Sequence, residues 1–159
     1  MEEKRDMIYK LSMSKVVIPK NEIHIELHVP NFDIAENFYS KLGFKVVWRR
    51  NLKDDTGYMV MRRDQSIIGF FGGNDLIYNH RYFKQFDKNT VRGYEVEVAI
   101  FIKDMKIEDY YTEVMKKINR KYLVGDIKLH SYGKTDFRLV DPFGFYLRFS
   151  EPENNLYEH

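Results

Sequence analysis

The sequence predicts an α+β fold built from two β-α-β-β-β modules, and three observations lead to this prediction. A short pattern occurs twice, at residues 29–38 and 102–111, and the second copy begins 73 positions after the first. Each copy passes from a β-branched strand end through a small polar residue into a helical pattern of apolar residues. Each copy is followed by alternating segments that turn residues separate. Isolated helices among several short strands are typical of the α+β class.

The first strand is predicted over residues 22–29, where apolar and polar side chains alternate. Since successive side chains of a strand point to opposite faces, one set should pack against the following helix. That apolar set is Ile25, Leu27 and Val29. The opposite face would carry two imidazoles and a carboxylate, from His24, Glu26 and His28.

The helix that follows has recognisable start and stop residues. Asn31 is a suitable N-cap, and Gly43 after Leu42 suits the position just beyond the helix. Ile34 and Phe38 are expected to form its apolar stripe. Three strands then complete the module, at residues 44–50, 58–62 and 66–71, with turns at 53–57 and 63–65.

The second module repeats this order. Its first strand is predicted over residues 94–102, and Asp104 is the expected helix cap. The helix-facing residues of that strand would be Val96, Val98, Ile100 and Ile102, with Glu95, Glu97, Ala99 and Phe101 opposite. The helix stripe would consist of Ile107, Tyr110, Tyr111, Val114 and Ile118. Further strands are predicted at residues 123–129, 134–140 and 145–150, and Asp141-Pro142-Phe143-Gly144 suits a type I turn.

These elements divide the chain into five segments. An N-terminal arm, a first module, a connection, a second module and a C-terminal tail are expected at residues 1–20, 21–74, 75–92, 93–151 and 152–159. The connection is polar and aromatic, and it suits either a surface linker or a short helix over a cavity. Its aromatic residues are Tyr78, Tyr82, Phe83 and Phe86.

Composition restricts the function classes. A net charge of +2 does not argue for a nucleic-acid or membrane partner, and no signal peptide or membrane span is evident. The absence of Cys excludes disulfides, thiolate metal sites and cysteine nucleophiles, and it fits a cytoplasmic location. The aromatic content of 16% would serve the core or a ring-lined binding cavity.

The repeat also predicts a site. The offset of 73 that relates the two copies pairs His24 with Glu97, each in the strand leading into its helix. A duplicated module that places a titratable group at the same point in each copy suggests a site built between the copies. We therefore expect His24 and Glu97 to lie close together.

Over residues 22–151 the sequence resembles the vicinal oxygen chelate superfamily. The resemblance rests on Val29-Pro30-Asn31-Phe32 leading to Phe38-Tyr39-Ser40-Lys41-Leu42-Gly43-Phe44, and on Asp141-Pro142-Phe143-Gly144 before a final strand. This superfamily includes glyoxalase I, extradiol dioxygenases and bleomycin-resistance proteins. The resemblance implies paired modules whose mixed sheets curl around a central cup that holds the ligand.

In metal-using members, the resemblance implies ligands from the first and last strands of the modules. By motif register these positions fall on His24, Glu97 and Arg148, and counting from Asp64 in the first module gives Phe71. His24 and Glu97 would suit a divalent cation. Arg148 would not, because a guanidinium has no lone pair to donate and repels cations. We therefore predict no bound metal and no cofactor. If Arg148 and Glu97 approach each other across the cup, they could form a charge-assisted pair that neutralises the carboxylate.

The function that follows is metal-independent binding of a small molecule, in the manner of the bleomycin-resistance proteins, with sequestration of a toxic or antibiotic compound. Arg148 could instead meet an anionic group of the ligand. Aromatic rings could stack against a planar or cationic compound, namely those of Trp48, Tyr58, Phe71, Phe101 and Tyr146. The resemblance to metal-free members also implies a homodimer.

Two alternatives stay open. One is a metal-dependent lyase, isomerase, transferase or dioxygenase that uses His24, Glu97 and a ligand outside the expected register. The spare ligand candidates are Glu26, His28, Glu95 and His130. A one-residue slip of register would exchange the faces of a strand, so that such a ligand set could form. The other alternative is a regulatory or interaction module without a small ligand.

Overall fold

A computed structural model describes residues 23–50, 57–131 and 133–152 of the chain. The predicted arm at 1–20, most of the turn at 53–57 and nearly all of the tail at 152–159 lie outside the described residues. The chain divides into two compact units, Met1–Gln85 and Phe86–His159. The boundary falls within the predicted connection at 75–92.

The first unit has the predicted β-α-β-β-β order. Its elements are β1 (Ile25–Val29), α1 (Phe32–Lys41), β2 (Lys45–Arg50), β3 (Tyr58–Arg63) and β4 (Ser66–Gly72). The strands form one sheet in the order β1-β4-β3-β2, in which β1 runs parallel to β4 and the other pairs are antiparallel. A short helix, α2 (Asn74–Tyr78), and a 3₁₀ turn (Phe83–Gln85) follow the last strand.

The ends of α1 are confirmed as the sequence predicted them. The side chain of Asn31 accepts a hydrogen bond from the amide of Ile34 at 3.0 Å. Gly43 lies just beyond the helix with φ of +85°, a conformation that favours glycine. Ile34 is not part of the apolar stripe, because its side chain is 47% exposed. Phe38 is buried as predicted, together with Ala35 and Tyr39, which lie on the same side of the helix.

The core of the first unit lies between α1 and one face of the sheet. Leu27 and Val29 are buried there, and the rings of Tyr39 and Phe70 are 4.8 Å apart. Ile25, expected to be buried with them, is 42% exposed. It is the first residue of an edge strand, where only one neighbouring strand can cover it.

The second unit repeats the architecture, and the predicted α+β class with two β-α-β-β-β modules is therefore confirmed. Its elements are β5 (Glu97–Phe101), α3 (Ile107–Met115), a 3₁₀ turn (Arg120–Tyr122), β6 (Leu123–Leu129), β7 (Thr135–Val140) and β8 (Tyr146–Ser150). The sheet order is β5-β8-β7-β6, and β5 runs parallel to β8. The core stacks Phe137 on Phe149 with ring centroids 5.0 Å apart.

Two predicted boundaries in the second unit are wrong. The strand begins at Glu97 rather than residue 94, because Glu95 has φ of +59° and the amide of Val96 donates to Gly93 O in a turn. Val96, predicted to face the helix, is consequently 56% exposed. Asp104 does not cap α3: the cap residue is Lys106, which makes no side-chain capping bond, and the helix starts at the buried Ile107.

The turn at residues 141–144 is confirmed. The amide of Gly144 donates to Asp141 O at 3.2 Å, and Gly144 has φ of +99°. Asp141 Oδ1 accepts hydrogen bonds from the amides of Phe143 and Phe145, each at 2.9 Å. This turn fixes the start of β8. Among the described residues, no helix has the length and hydrophobicity that crossing a membrane requires.

Candidate functional site

In each unit one face of the sheet packs on its helix, and the predicted site residues lie on the other face. Strand alternation and pairing place His24, Trp48, Tyr58 and Phe71 on the helix-free face of the first sheet. The same reasoning places Glu97, Phe101, Tyr146 and Arg148 on the helix-free face of the second sheet. Each sheet therefore gathers four of the eight predicted residues on one side.

A phenol–carboxylate pair marks the first face. The Tyr58 hydroxyl donates to Glu26 Oε1 at 2.5 Å. Partial burial, together with this hydrogen bond and the charge of Glu26, raises the pKa of Tyr58. Tyr58 is therefore a phenol at neutral pH, and Glu26 serves as its acceptor. Sequence reasoning named Glu26 only as a spare metal ligand.

His24 lies beside this pair. Its Nε2 atom is buried and has no hydrogen-bond partner within the described part of the chain. A Cβ atom on residue 69 would come closer than 3.0 Å to both the Tyr58 hydroxyl oxygen and His24 Nε2. Gly69 is thus the residue that leaves space for both groups. The sequence carried a signal for it, since an isolated glycine within a strand often marks a close approach.

Aromatic rings occupy the rest of the first face. The Trp48 and Tyr58 ring centroids are 5.9 Å apart with an interplanar angle of 56°. The Arg50 guanidinium lies 5.9 Å from the Trp48 ring centroid. Phe71 contacts the ring of His28 at 5.3 Å. The face can therefore offer both stacking surfaces and cation–π contacts to a bound molecule.

The contacts of His28 indicate a structural role. Its side chain is buried, and its Nε2 atom lies 2.5 Å from Gly73 O, the carbonyl that precedes α2. That hydrogen bond joins the end of β1 to the residue that follows β4. The imidazole is therefore engaged in a hydrogen bond that fixes the chain just before α2.

An ion pair dominates the second face. Arg148 Nε donates to Glu97 Oε1 at 2.8 Å, across the parallel β5–β8 pair. The side chains of Arg148 and Glu97 are 18% and 40% exposed. A partly buried, charge-assisted hydrogen bond of this kind neutralises the carboxylate. The pairing that the sequence suggested for these two residues is present.

Sequence reasoning missed a second charged group on the same face. Asp136 is almost fully buried, and its two carboxylate oxygens accept separately from His130 Nε2 at 3.0 Å and Arg138 Nη2 at 3.2 Å. Arg138 lies opposite Arg148 in the β7–β8 pairing. A buried Asp is uncommon unless it is paired, and nothing in the local sequence pattern distinguishes Asp136 from an exposed strand residue.

The donor set does not fit the metal that the superfamily resemblance implies. Glu97 is paired with the guanidinium of Arg148. Arg148 also occupies the position at which such a metal site would need a carboxylate. No group of three or more His, Asp or Glu side chains with the arrangement of a metal site occurs among the described residues. His24 and Glu97 belong to different units, and their proximity stays a prediction.

Comparison with solved structures identifies the fold. The chain is similar to a bleomycin-binding protein complexed with bleomycin, with 21% identity, a TM-score of 0.56 and coverage of 84% of this chain and 100% of the other. It is also similar to the bleomycin resistance determinant encoded on transposon Tn5, at 21% identity and a TM-score of 0.57, covering 84% and 99%. The chain has the bleomycin-resistance fold.

A third structure with this fold is a member of the glyoxalase/bleomycin resistance protein/dioxygenase superfamily from Sphaerobacter thermophilus. It is 14% identical, with a TM-score of 0.58 and coverage of 85% of this chain and 100% of the other. No protein-family model and no curated protein matches the sequence. Identities this low establish the bleomycin-resistance fold, and function has to be argued from the site.

Proposed function

We propose that this protein is a metal-independent small-molecule binding protein that sequesters a toxic or antibiotic compound. The observation that carries the proposal is the Arg148–Glu97 ion pair at 2.8 Å. It places a permanent positive charge where a metal centre would need an anionic ligand, and it engages the carboxylate that would otherwise bind the cation. The chemistry of this face favours recognition of a ligand over Lewis-acid catalysis.

The helix-free faces support binding of a planar molecule. Trp48, Tyr58 and Phe71 give the first sheet an aromatic surface, and Phe101 and Tyr146 contribute rings to the second. Two solved structures with the same fold are described as a bleomycin-binding protein and a bleomycin resistance determinant. Bleomycin is therefore the first compound to test.

Trp48 is the only tryptophan of the chain, so its fluorescence reports on the first face directly. Titration with metal-free bleomycin, and then with a panel of planar antibiotics, should give a saturable change in Trp48 emission for at least one compound. The affinity should be the same before and after dialysis against EDTA. A compound that binds only when a divalent cation is restored would favour the metal-dependent enzyme alternative.

The metal-free prediction has its own experiment. Protein purified without a chelator or an affinity tag should contain no stoichiometric transition metal by elemental analysis. Arg148→Glu removes the guanidinium and adds a carboxylate, so calorimetry with Ni²⁺ or Zn²⁺ should detect new or much stronger binding. A stoichiometric metal in the unmodified protein that is lost in His24→Ala would refute the proposal.

We also propose that the protein is a homodimer. β1 and β2 are edge strands of the first sheet, and β5 and β6 are edge strands of the second. Strand edges within a protein are usually paired, covered or protected, and a second copy could provide this. Light scattering should give a dimer mass at micromolar concentration, whereas a monomer mass throughout that range would contradict this proposal.

A further inference from the structure

The first helix-free face contains an unsatisfied polar atom. Within the described residues, His24 Nε2 is the one buried side-chain nitrogen or oxygen without a hydrogen-bond partner. Such atoms are rare in native proteins because burying a polar group without a partner costs free energy. A hydrogen bond from a bound molecule would remove that cost.

The groups around His24 are acceptors. Glu26 carries a carboxylate, which only accepts hydrogen bonds when it is ionised. Tyr58 donates its one hydroxyl hydrogen to Glu26 Oε1, and this leaves the lone pairs of its oxygen for other donors. His24 Nε2 is also an acceptor when the ring hydrogen is on Nδ1.

These acceptors converge on one point of the sheet. The Tyr58 oxygen and His24 Nε2 both lie closer than 3.0 Å to the position of a Cβ on residue 69, and Glu26 is the direct β1 neighbour of Gly69 in the β1–β4 pairing. Trp48 lies on the same face, with its ring centroid 5.9 Å from that of Tyr58. A negative charge, two further acceptors and an aromatic surface are therefore close together.

We propose that His24, Glu26 and Tyr58 form a recognition site for a positively charged hydrogen-bond donor, an ammonium or amidinium group attached to an aromatic ring. The group would donate to Glu26 and to the two neighbouring acceptors, while the ring would pack against Trp48. This inference rests on the proposed small-molecule binding function, and it adds the chemical class of the group recognised.

Three small aromatic probes of similar size test whether the site prefers a cationic, a neutral or an anionic group. Benzamidine is a cationic donor, benzyl alcohol is neutral and benzoate is an anion. Each is titrated while Trp48 emission is recorded, with N-acetyltryptophanamide as the control for collisional quenching. Benzamidine should bind at least about tenfold more tightly than benzyl alcohol, as expected for hydrogen bonds to a charged group, and benzoate should bind most weakly.

Variants locate the site. Glu26→Gln should weaken benzamidine binding about tenfold, and Tyr58→Phe, which keeps the ring, should weaken it a few-fold. Gly69→Ala places a methyl group against the Tyr58 oxygen and His24 Nε2, and it should weaken benzamidine at least as much as Glu26→Gln does. Far-UV circular dichroism and urea unfolding of each variant verify that the fold is retained.

Glu36→Gln is the matched control. It removes one carboxylate charge from the same unit, on α1, where Glu36 accepts from Arg49 at 2.8 Å, and it should leave benzamidine affinity unchanged. Equal losses in Glu26→Gln and Glu36→Gln would show a general charge effect and overturn the inference.

The three probes also separate this inference from the proposed function. Tighter binding of benzoate or benzyl alcohol than of benzamidine overturns the inference, while saturable binding of either still supports a small-molecule site. If none of the three gives a saturable response, the inference is refuted, and the titrations with bleomycin and planar antibiotics decide the proposed function.

Discussion

The two units share a topology but differ in the chemistry of their helix-free faces. The first face is aromatic, with Trp48 and Tyr58 in contact and the Glu26 carboxylate hydrogen-bonded to the Tyr58 phenol. The second face is charged, with Arg148 paired to Glu97 and Arg138 paired to Asp136. The same scaffold therefore carries a stacking surface in one unit and an array of ion pairs in the other.

The helix-bearing faces, in contrast, are alike. Tyr39 on α1 contacts Phe70 on β4 at 4.8 Å, and Tyr110 on α3 contacts Phe149 on β8 at 5.6 Å. Both phenylalanines are fully buried. A helix packed on a sheet requires apolar side chains at fixed positions, whereas the opposite face has no such requirement. The two units therefore differ in the side chains of their helix-free faces and are alike in their helix-bearing faces.

The largest expected effects come from the shared cores. Phe70→Ala and Phe149→Ala each remove a fully buried ring, and each should lower the free energy of unfolding by about 3–5 kcal/mol. Urea unfolding followed by Trp48 fluorescence reports on the first unit, and far-UV circular dichroism reports on both. A loss below about 1 kcal/mol in either variant would show that the ring is not part of a packed core.

The same pair of variants tests whether the units unfold together. If unfolding is one cooperative transition, Phe149→Ala shifts the Trp48 transition as much as Phe70→Ala does. If the units are independent, Phe149→Ala leaves the Trp48 transition in place and shifts only part of the dichroism signal.

The sequence was sufficient for most of the fold because its signals are local. Alternation located the strands, and Asn31 and Gly43 marked the ends of α1. The two misplaced boundaries, at the starts of β5 and α3, had local causes that the sequence pattern does not indicate. Asp104 was a good cap residue two positions too early, since Lys106 is the cap and α3 begins at the buried Ile107.

The site was predicted less completely than the fold. Register from the motifs identified Glu97 and Arg148, whose ion pair is present. Glu26 was named only as a spare metal ligand and Gly69 was not singled out, because their roles depend on neighbours in other strands. Asp136 was not singled out either. Arg138 is two residues beyond Asp136 on β7, so alternation alone places both side chains on one face. The contact of Asp136 with His130 depends on how the chain outside β7 lies against it, which the sequence does not specify at the level of single side chains.

The helix caps are a further contrast between the units. Asn31 caps α1 through its side chain, whereas Lys106 at the start of α3 makes no such bond. Asn31→Ala should lower the free energy of unfolding by about 1 kcal/mol. Lys106→Asn should raise it by about 1 kcal/mol or less, because it adds a cap and removes a positive charge from the helix N-terminus. Urea unfolding measures both, and a destabilising Lys106→Asn would show that the lysine has another role.

The smallest expected effects concern two tyrosines at high pH. Partial burial and the bond to Glu26 raise the pKa of Tyr58, and the bond to Asp126 raises the pKa of Tyr111. A raised tyrosine pKa contributes stability that is fully present below the unfolded value of about 10 and is lost as pH rises through the folded value. Solvent screening should limit the Tyr58 effect to about 1 kcal/mol or less.

Tyr58→Phe and Tyr111→Phe measure these contributions separately. The difference in free energy of unfolding between the unmodified protein and Tyr58→Phe should shrink as pH rises from 9 towards 11. The corresponding change for Tyr111→Phe should be smaller, because its partner Asp126 is exposed to solvent. At acidic pH, the hydrogen bond from Tyr111 lowers the pKa of Asp126. The stability that this shift contributes is present above the pKa of an unfolded aspartate and is lost as pH falls through the folded pKa. Equal alkaline slopes for the two variants would mean that the Tyr58–Glu26 pair is no more protected from water than the Tyr111–Asp126 pair.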